Sequence, residues 1–120
     1  MTTITEVRTR TVNVPLDNPT SFSNRQVLKR DYVLVEVVGD DGHIGIGFCY
    51  GGNNAGSLVA NAVRELLKPV LLGADAHSTE ALWQAMYQES LLHGRSGSVM
   101  RAISILDTAL WDRNARAAKL

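Results

Sequence analysis

Apolar residues change their spacing about a third of the way along this chain. Ile4 to Val14 is rich in Thr, Val and Ile, with Val12 and Val14 alternating with polar neighbours. Tyr32 to Val38 places Val33, Val35 and Val37 on one face, and Ile44 to Tyr50 reads as the returning strand. Between them, Gly39-Asp-Asp-Gly42 predicts a hairpin turn, because Asp-Gly supplies the positive φ that tight turns need. Gly45 and Gly47 interrupt the third strand, which predicts close approach of another backbone or a bulky side chain. Pro15 ends the first run, and the polar stretch Leu16–Lys29 predicts a long loop.

From the glycine-rich segment Gly51–Gly56 onward the period becomes helical. Ser57 is the expected N-cap of a helix with Val59, Ala62, Val63, Leu66 and Leu67 on one face, ended or kinked by Pro69, with a last turn before Gly73. A second helix starts near Ser78 or Thr79, buries Leu82, Trp83, Met86 and Tyr87, and stops near Gly94. The third, capped by Ser96 or Ser98, carries Val99, Ile103, Leu106 and Leu110 on one stripe, widened by Ala102 and Ala109. No Gly or Pro stop follows it, so the helix is expected to run unfinished to Leu120. Strands first and helices afterwards predict an α+β fold: a three-stranded antiparallel sheet followed by a three-helix bundle.

Composition narrows the function. The chain has 120 residues, enough for one core. Twelve basic residues balance twelve acidic ones, so no net field recruits nucleic acid or an anionic membrane. No apolar run is long enough to cross a bilayer, and the first residues lack the pattern of a secretory signal. The lone Cys49 cannot form an internal disulfide, which fits a reducing cytoplasm, and it reads as a buried strand residue.

Familiar chemical motifs are missing. The segment around Gly45, Gly47 and Tyr50 fails the dinucleotide fingerprint because Tyr50 stands where the third glycine belongs. No Gly-Lys-Ser/Thr occurs, and no parallel strand follows the first helix to close a mononucleotide unit. His43, His77 and His93 lie far apart and form no metal-ligand spacing. Gly94-Arg-Ser-Gly-Ser98 could hold an anion on free amides and Arg95, or be an inter-helix turn with Arg95 paired to a carboxylate elsewhere in the protein. Asp107 has no cation three or four residues away and is expected to find a hydrogen bond from another segment. Asp112 has Arg116 four residues on and reads as structural. The two loops remain: Leu16–Lys29 with Phe22, where an aromatic can shield a site from water, and Tyr50–Gly56, where an aromatic adjoins the amides of Asn53 and Asn54.

Taken together, Tyr32-Val-Leu-Val-Glu-Val-Val-Gly-Asp-Asp-Gly42, Gly45-Ile-Gly47, Leu66-Leu-Lys-Pro-Val-Leu-Leu-Gly73, Leu82-Trp83 and Ala102-Ile-Ser-Ile-Leu-Asp-Thr-Ala-Leu-Trp-Asp112 resemble the N-terminal capping domain of the enolase superfamily. The closer resemblance is to its mandelate racemase/muconate lactonizing enzyme branch. It implies that residues 1–120 form a cap, with the last helix, about 97–120, leading into a (β/α)8 barrel that this chain lacks. It also implies a Mg²⁺-dependent racemase or acid-sugar dehydratase that removes the proton α to a carboxylate, with base and metal ligands on the barrel. No catalytic or metal-binding residue is then expected in this chain, which alone should be catalytically incomplete. The implied partners are a small carboxylate substrate, a hydroxyacid or acid sugar, and further copies of the full-length chain in a homo-oligomer. The two loops become capping loops, with Phe22, Tyr50 and Asn53 lining the mouth of the site. Gly45-Ile-Gly47-Phe48 departs from the Gly-x-Gly-Glu of many relatives and leans toward the mandelate racemase side. The alternative is a non-catalytic α+β module that binds a partner through the exposed face of its last helix.

Overall fold

The computed structural model describes residues 1–120 throughout. Three antiparallel strands, β1 (Ile4–Phe22), β2 (Arg25–Gly39) and β3 (Ile44–Tyr50), form one sheet in that order. Helix α1 (Gly56–Asn61) continues through a π-helical segment (Ala62–Leu67) into α2 (Lys68–Leu71). Helix α3 (Thr79–Glu89), a 3₁₀ turn (Leu91–His93) and helix α4 (Ser98–Ala117) follow. The expected α+β arrangement is present.

Alternation sets the sheet's inner face. Val33, Val35 and Val37 are fully buried and pair across the sheet with Cys49, Gly47 and Gly45. Helix α4 lies against this face and contributes Ala102, Ile103, Leu106, Ala109 and Leu110 to the core. The two glycines of β3 make that contact possible. A Cβ built on Gly45 would sit 1.8 Å from the Ala109 carbonyl oxygen, and one on Gly47 2.1 Å from that of Ile105. The second layer is completed by Val59, Val63 and Leu67 from the first helix and by Leu82 and Met86 from α3.

Several local expectations are corrected. The stretch 16–29 is not a loop. Residues Thr20, Ser21 and Phe22 pair with Val27, Gln26 and Arg25, so β1 and β2 run out into a long two-stranded ribbon that turns at Ser23-Asn24. Four residues of β1, 16–19, stand opposite only Leu28 of β2, a bulge that contains Pro19. Most of the ribbon is exposed on both faces, with Val27 the buried exception, so backbone pairing holds it without the apolar alternation that marks a strand.

None of Ser57, Ser96 and Ser98 caps its helix. Ala55 and Gly97 occupy the cap positions of α1 and α4, with no side-chain cap bond. Trp83 and Tyr87 are only half-buried and stack on each other, with ring centroids 5.2 Å apart. The π segment precedes Pro69, which has no N–H to donate and whose ring crowds the carbonyl four residues back; a widened turn relieves both. Helix α4 does not continue to Leu120. It ends at Ala117, where Lys119 takes φ +62° and the Lys119 and Leu120 amides donate to the Arg116 and Ala115 carbonyls, a Schellman ending built without glycine. No helix is long and apolar enough to cross a membrane.

Candidate functional site

The ribbon and the end of β3 enclose the site. Tyr50 closes β3 directly opposite Tyr32 on β2, and their rings meet at 6.0 Å in a tilted arrangement. The Arg30 guanidinium carbon lies 5.9 Å from the centre of the Tyr50 ring, a cation–π contact. Thr20, Ser21, Phe22 and Val27 of the ribbon complete a cleft of about 470 Å³ with these three residues. Phe22 is 64% exposed at its rim. A smaller cleft of about 290 Å³ adjoins it between Phe48, Tyr50 and the Ser104–Thr108 face of α4.

The segment after Tyr50 is pinned in place. Asp31 and Gly51–Gly52 exchange two backbone hydrogen bonds: the Asp31 amide donates to the Gly52 carbonyl and the Gly51 amide to the Asp31 carbonyl, both at 2.7 Å. The Asp31 carboxylate also accepts the Gly56 amide at 3.2 Å and the Asn13 side-chain amide. Asp31 thus supplies the carboxylate that the start of α1 needs, which explains why no serine cap is required. From the other side, Arg101 Nη1 donates to the Tyr50 carbonyl at 2.5 Å.

Of the three residues expected at the mouth, Phe22 and Tyr50 line the same cleft, while Asn53 does not. Asn53 is half-buried in the following turn, with its side-chain oxygen shut away from solvent and without a hydrogen-bond partner. Arg30, Tyr32, Asp31 and Arg101 were not singled out from the sequence. The alternation Arg30-Tyr32-Leu34 on the outward face of β2 is the signal that points to the first two.

The other candidates stand elsewhere. No three His, Cys, Asp or Glu side chains converge. His43 sits 3.4 Å from Asp41 and His77 3.3 Å from the Thr2 hydroxyl. Arg95 is exposed in the turn before α4 and pairs with no carboxylate within residues 1–120. Asp107 finds no hydrogen-bond partner; it is half-buried beside Trp83 and Trp111, and burial pushes its carboxyl above the usual range. Asp112 is structural as expected. It accepts the Ile46 amide at 2.9 Å and Arg116 Nε at 3.0 Å, and the Ile46 amide is the main reason its carboxyl is held below the usual range. Burial pushes the half-buried Cys49 thiol up, as suits a packing residue rather than a nucleophile.

Known proteins share this fold. The chain is 36% identical over 110 residues to a 3,6-anhydro-α-L-galactonate cycloisomerase of Streptomyces coelicolor, covering 91% of this chain and 30% of that protein. The structure of a Streptomyces coelicolor racemase with bound magnesium superposes with a TM-score of 0.92 at 35% identity, over 96% of this chain and 32% of that one. An L-talarate dehydratase from Polaromonas, solved with Mg and L-glucarate, gives a TM-score of 0.90 at 30% identity, over 98% and 33% of the two chains. The chain therefore spans about a third of the length of these relatives. Residues 4–120 match the family profile described as "Mandelate racemase / muconate lactonizing enzyme, N-terminal domain", and the chain belongs to that family.

Proposed function

We propose that this chain is the substrate-capping and specificity domain of a Mg²⁺-dependent enzyme that removes the proton α to the carboxylate of a hydroxyacid or acid sugar. The observation that carries this is the cleft between the ribbon and Tyr50: an aromatic rim with hydroxyls and one cation inside. Such a lining suits a small polyhydroxylated anion. The cycloisomerase relative is named for a galactonate, and the dehydratase structure holds L-glucarate with Mg. They support an acid sugar as substrate and leave open whether it bears one carboxylate or two.

In this role the metal and the base belong to chain outside residues 1–120. When bound, Mg²⁺ makes the α-proton removable by stabilising the charge that develops on the carboxylate. The residues of this chain do the rest of the work at the opening. Phe22, on the ribbon, shields the site from water. Tyr50, at the end of a strand whose following turn is pinned by Asp31 and Arg101, orients substrate hydroxyls from a rigid base, with Asn53 supporting that turn from behind. The unpaired Cys49 supports a reducing cytoplasm as its location.

The test is α-proton exchange in D₂O, followed by NMR, with Mg²⁺ and a panel of hydroxyacids and acid sugars. This readout reports proton removal whether the enzyme racemises, dehydrates or cycloisomerises. The complete coding frame should encode a barrel and catalyse exchange, and residues 1–120 alone should not. Exchange by the short chain unaided, or a coding frame that continues into anything else, overturns the proposal.

A further inference from the structure

Resting on the capping role proposed above, we infer that Arg30 is the residue that reads a second carboxylate on the substrate, so that the enzyme's preferred substrates are acid sugars with a carboxylate at both ends. The geometry that points to this is a cation without an anion, held inside a cleft. The chain's ion pairs engage Arg8, His43, Arg113 and Arg116, and none involves Arg30. Its contact is with the Tyr50 ring at 5.9 Å. Attraction to a ring face fixes where the guanidinium sits but uses none of its five N–H donors. They remain available for a planar, bidentate partner, which is the geometry a carboxylate offers.

The surroundings favour the same ligand. Arg30 shares its cleft with the hydroxyls of Thr20, Ser21 and Tyr32, donors and acceptors suited to a sugar chain. The ribbon itself is locally basic although the whole chain is neutral. From Pro15 to Arg30 it carries Arg25, Lys29 and Arg30 against Asp17 alone. This local field draws anions toward the opening.

Position decides which carboxylate is read. Under the proposed capping role the reacting carboxylate lies with the metal and base outside residues 1–120, which leaves the far end of the substrate to the cleft that Arg30 lines. There a sugar monoacid presents a hydroxymethyl group and a sugar diacid a carboxylate. Only the carboxylate pairs with the charge of Arg30; the hydroxymethyl group offers the guanidinium no charged, bidentate partner.

The test compares kcat/KM for paired diacids and monoacids of the same stereochemistry, galactarate with galactonate first, in the intact enzyme and its Arg30→Gln and Arg30→Lys variants. The intact enzyme should prefer the diacid of each pair. Arg30→Gln should lower the diacid-to-monoacid ratio by about 10- to 100-fold, chiefly through KM, as expected for one charged hydrogen-bonded pair. Arg30→Lys, which keeps the charge but loses the fork, should fall between. A preference for monoacids, an unchanged ratio in Arg30→Gln, or an equal loss on both substrates overturns the role of Arg30 and leaves the capping role standing. An intact protein that exchanges the α-proton of no acid sugar overturns both.

Discussion

Arg113 Nη2 of helix α4 lies 2.5 Å from Asp41 Oδ2 in the turn between β2 and β3. The arginine side chain is completely shut off from solvent, and its Nε and Nη1 have no hydrogen-bond partner. One carboxylate therefore compensates a buried cation. Removing that carboxylate leaves the charge uncompensated, whereas replacing the arginine by an apolar residue removes the need for compensation. Asp41→Ala should cost about 2–4 kcal/mol, below the usual loss for a fully buried pair because Asp41 keeps 29% of its side chain exposed. Arg113→Leu or Arg113→Met should cost clearly less. Urea denaturation of the three variants checks the asymmetry, and equal losses would contradict it.

The β3–α4 contact makes a second, sharper demand. A methyl group on Gly45 or Gly47 would overlap a helix carbonyl, at 1.8 and 2.1 Å, and backbone cannot yield as a side-chain tip would. Gly47→Ala should cost about 3 kcal/mol or more, or prevent folding. Gly42 meets nothing within 4 Å, although its φ of +83° disfavours a side chain. Gly42→Ala should cost only about 1 kcal/mol. Thermal unfolding of the two variants side by side separates steric exclusion from backbone strain.

What the sequence makes legible here follows from periodicity. Val33, Val35 and Val37 announce the inner face because one face is buried and the other is not. Gly45 and Gly47 announce a close approach for the same reason, since nothing else explains glycine in a strand. The ribbon from Pro15 to Arg30 escapes because its strands pair through backbone alone, with almost no burial to impose alternation. Asp31 and Arg101 escape because their bonds join residues 25 and 51 positions apart, a relationship with no local spacing. Arg113 is hidden by its own type: in a helix pattern an arginine marks the solvent side, and here it fills the core. The site was half visible for these reasons. Its aromatics stand out in polar surroundings, whereas the cation beside them emerges only once the ribbon folds back.

Asp107 predicts a pH effect of definite sign. Its folded-state carboxyl is raised above the ordinary 3.8 by burial, so the folded chain holds that proton more tightly than the unfolded chain. Its ionisation therefore costs stability above the raised value, and that cost disappears as pH falls toward 3.8. Asp112, held low chiefly by the Ile46 amide, works the other way and loses its contribution only as pH drops below the ordinary value. Asp107→Asn should raise Tm by about 2–4 °C at pH 7 and by nothing at pH 3.5. A gain that is the same at both values would assign the effect to packing rather than ionisation.

Asp31 links fold to site, because the residue whose carboxylate serves the start of α1 also steadies the turn that follows Tyr50. Asp31→Ala removes the acceptor for the Gly56 amide and strands the Asn13 side chain, which should cost about 1–2 kcal/mol. The two backbone bonds between Asp31 and Gly51–Gly52 survive this change, so the turn loosens without detaching. Amide exchange at Gly56 should accelerate while exchange at Val35, in the sheet interior, shifts only by the global loss of stability. In the intact enzyme a looser turn must be ordered each time substrate binds, so KM should rise several-fold with little change in kcat. Asp31→Asn, which keeps an acceptor oxygen but not the charge, should recover most of the Gly56 protection and part of the KM. If KM stays at its starting value while Gly56 exchanges freely, the order of this turn is no part of substrate binding.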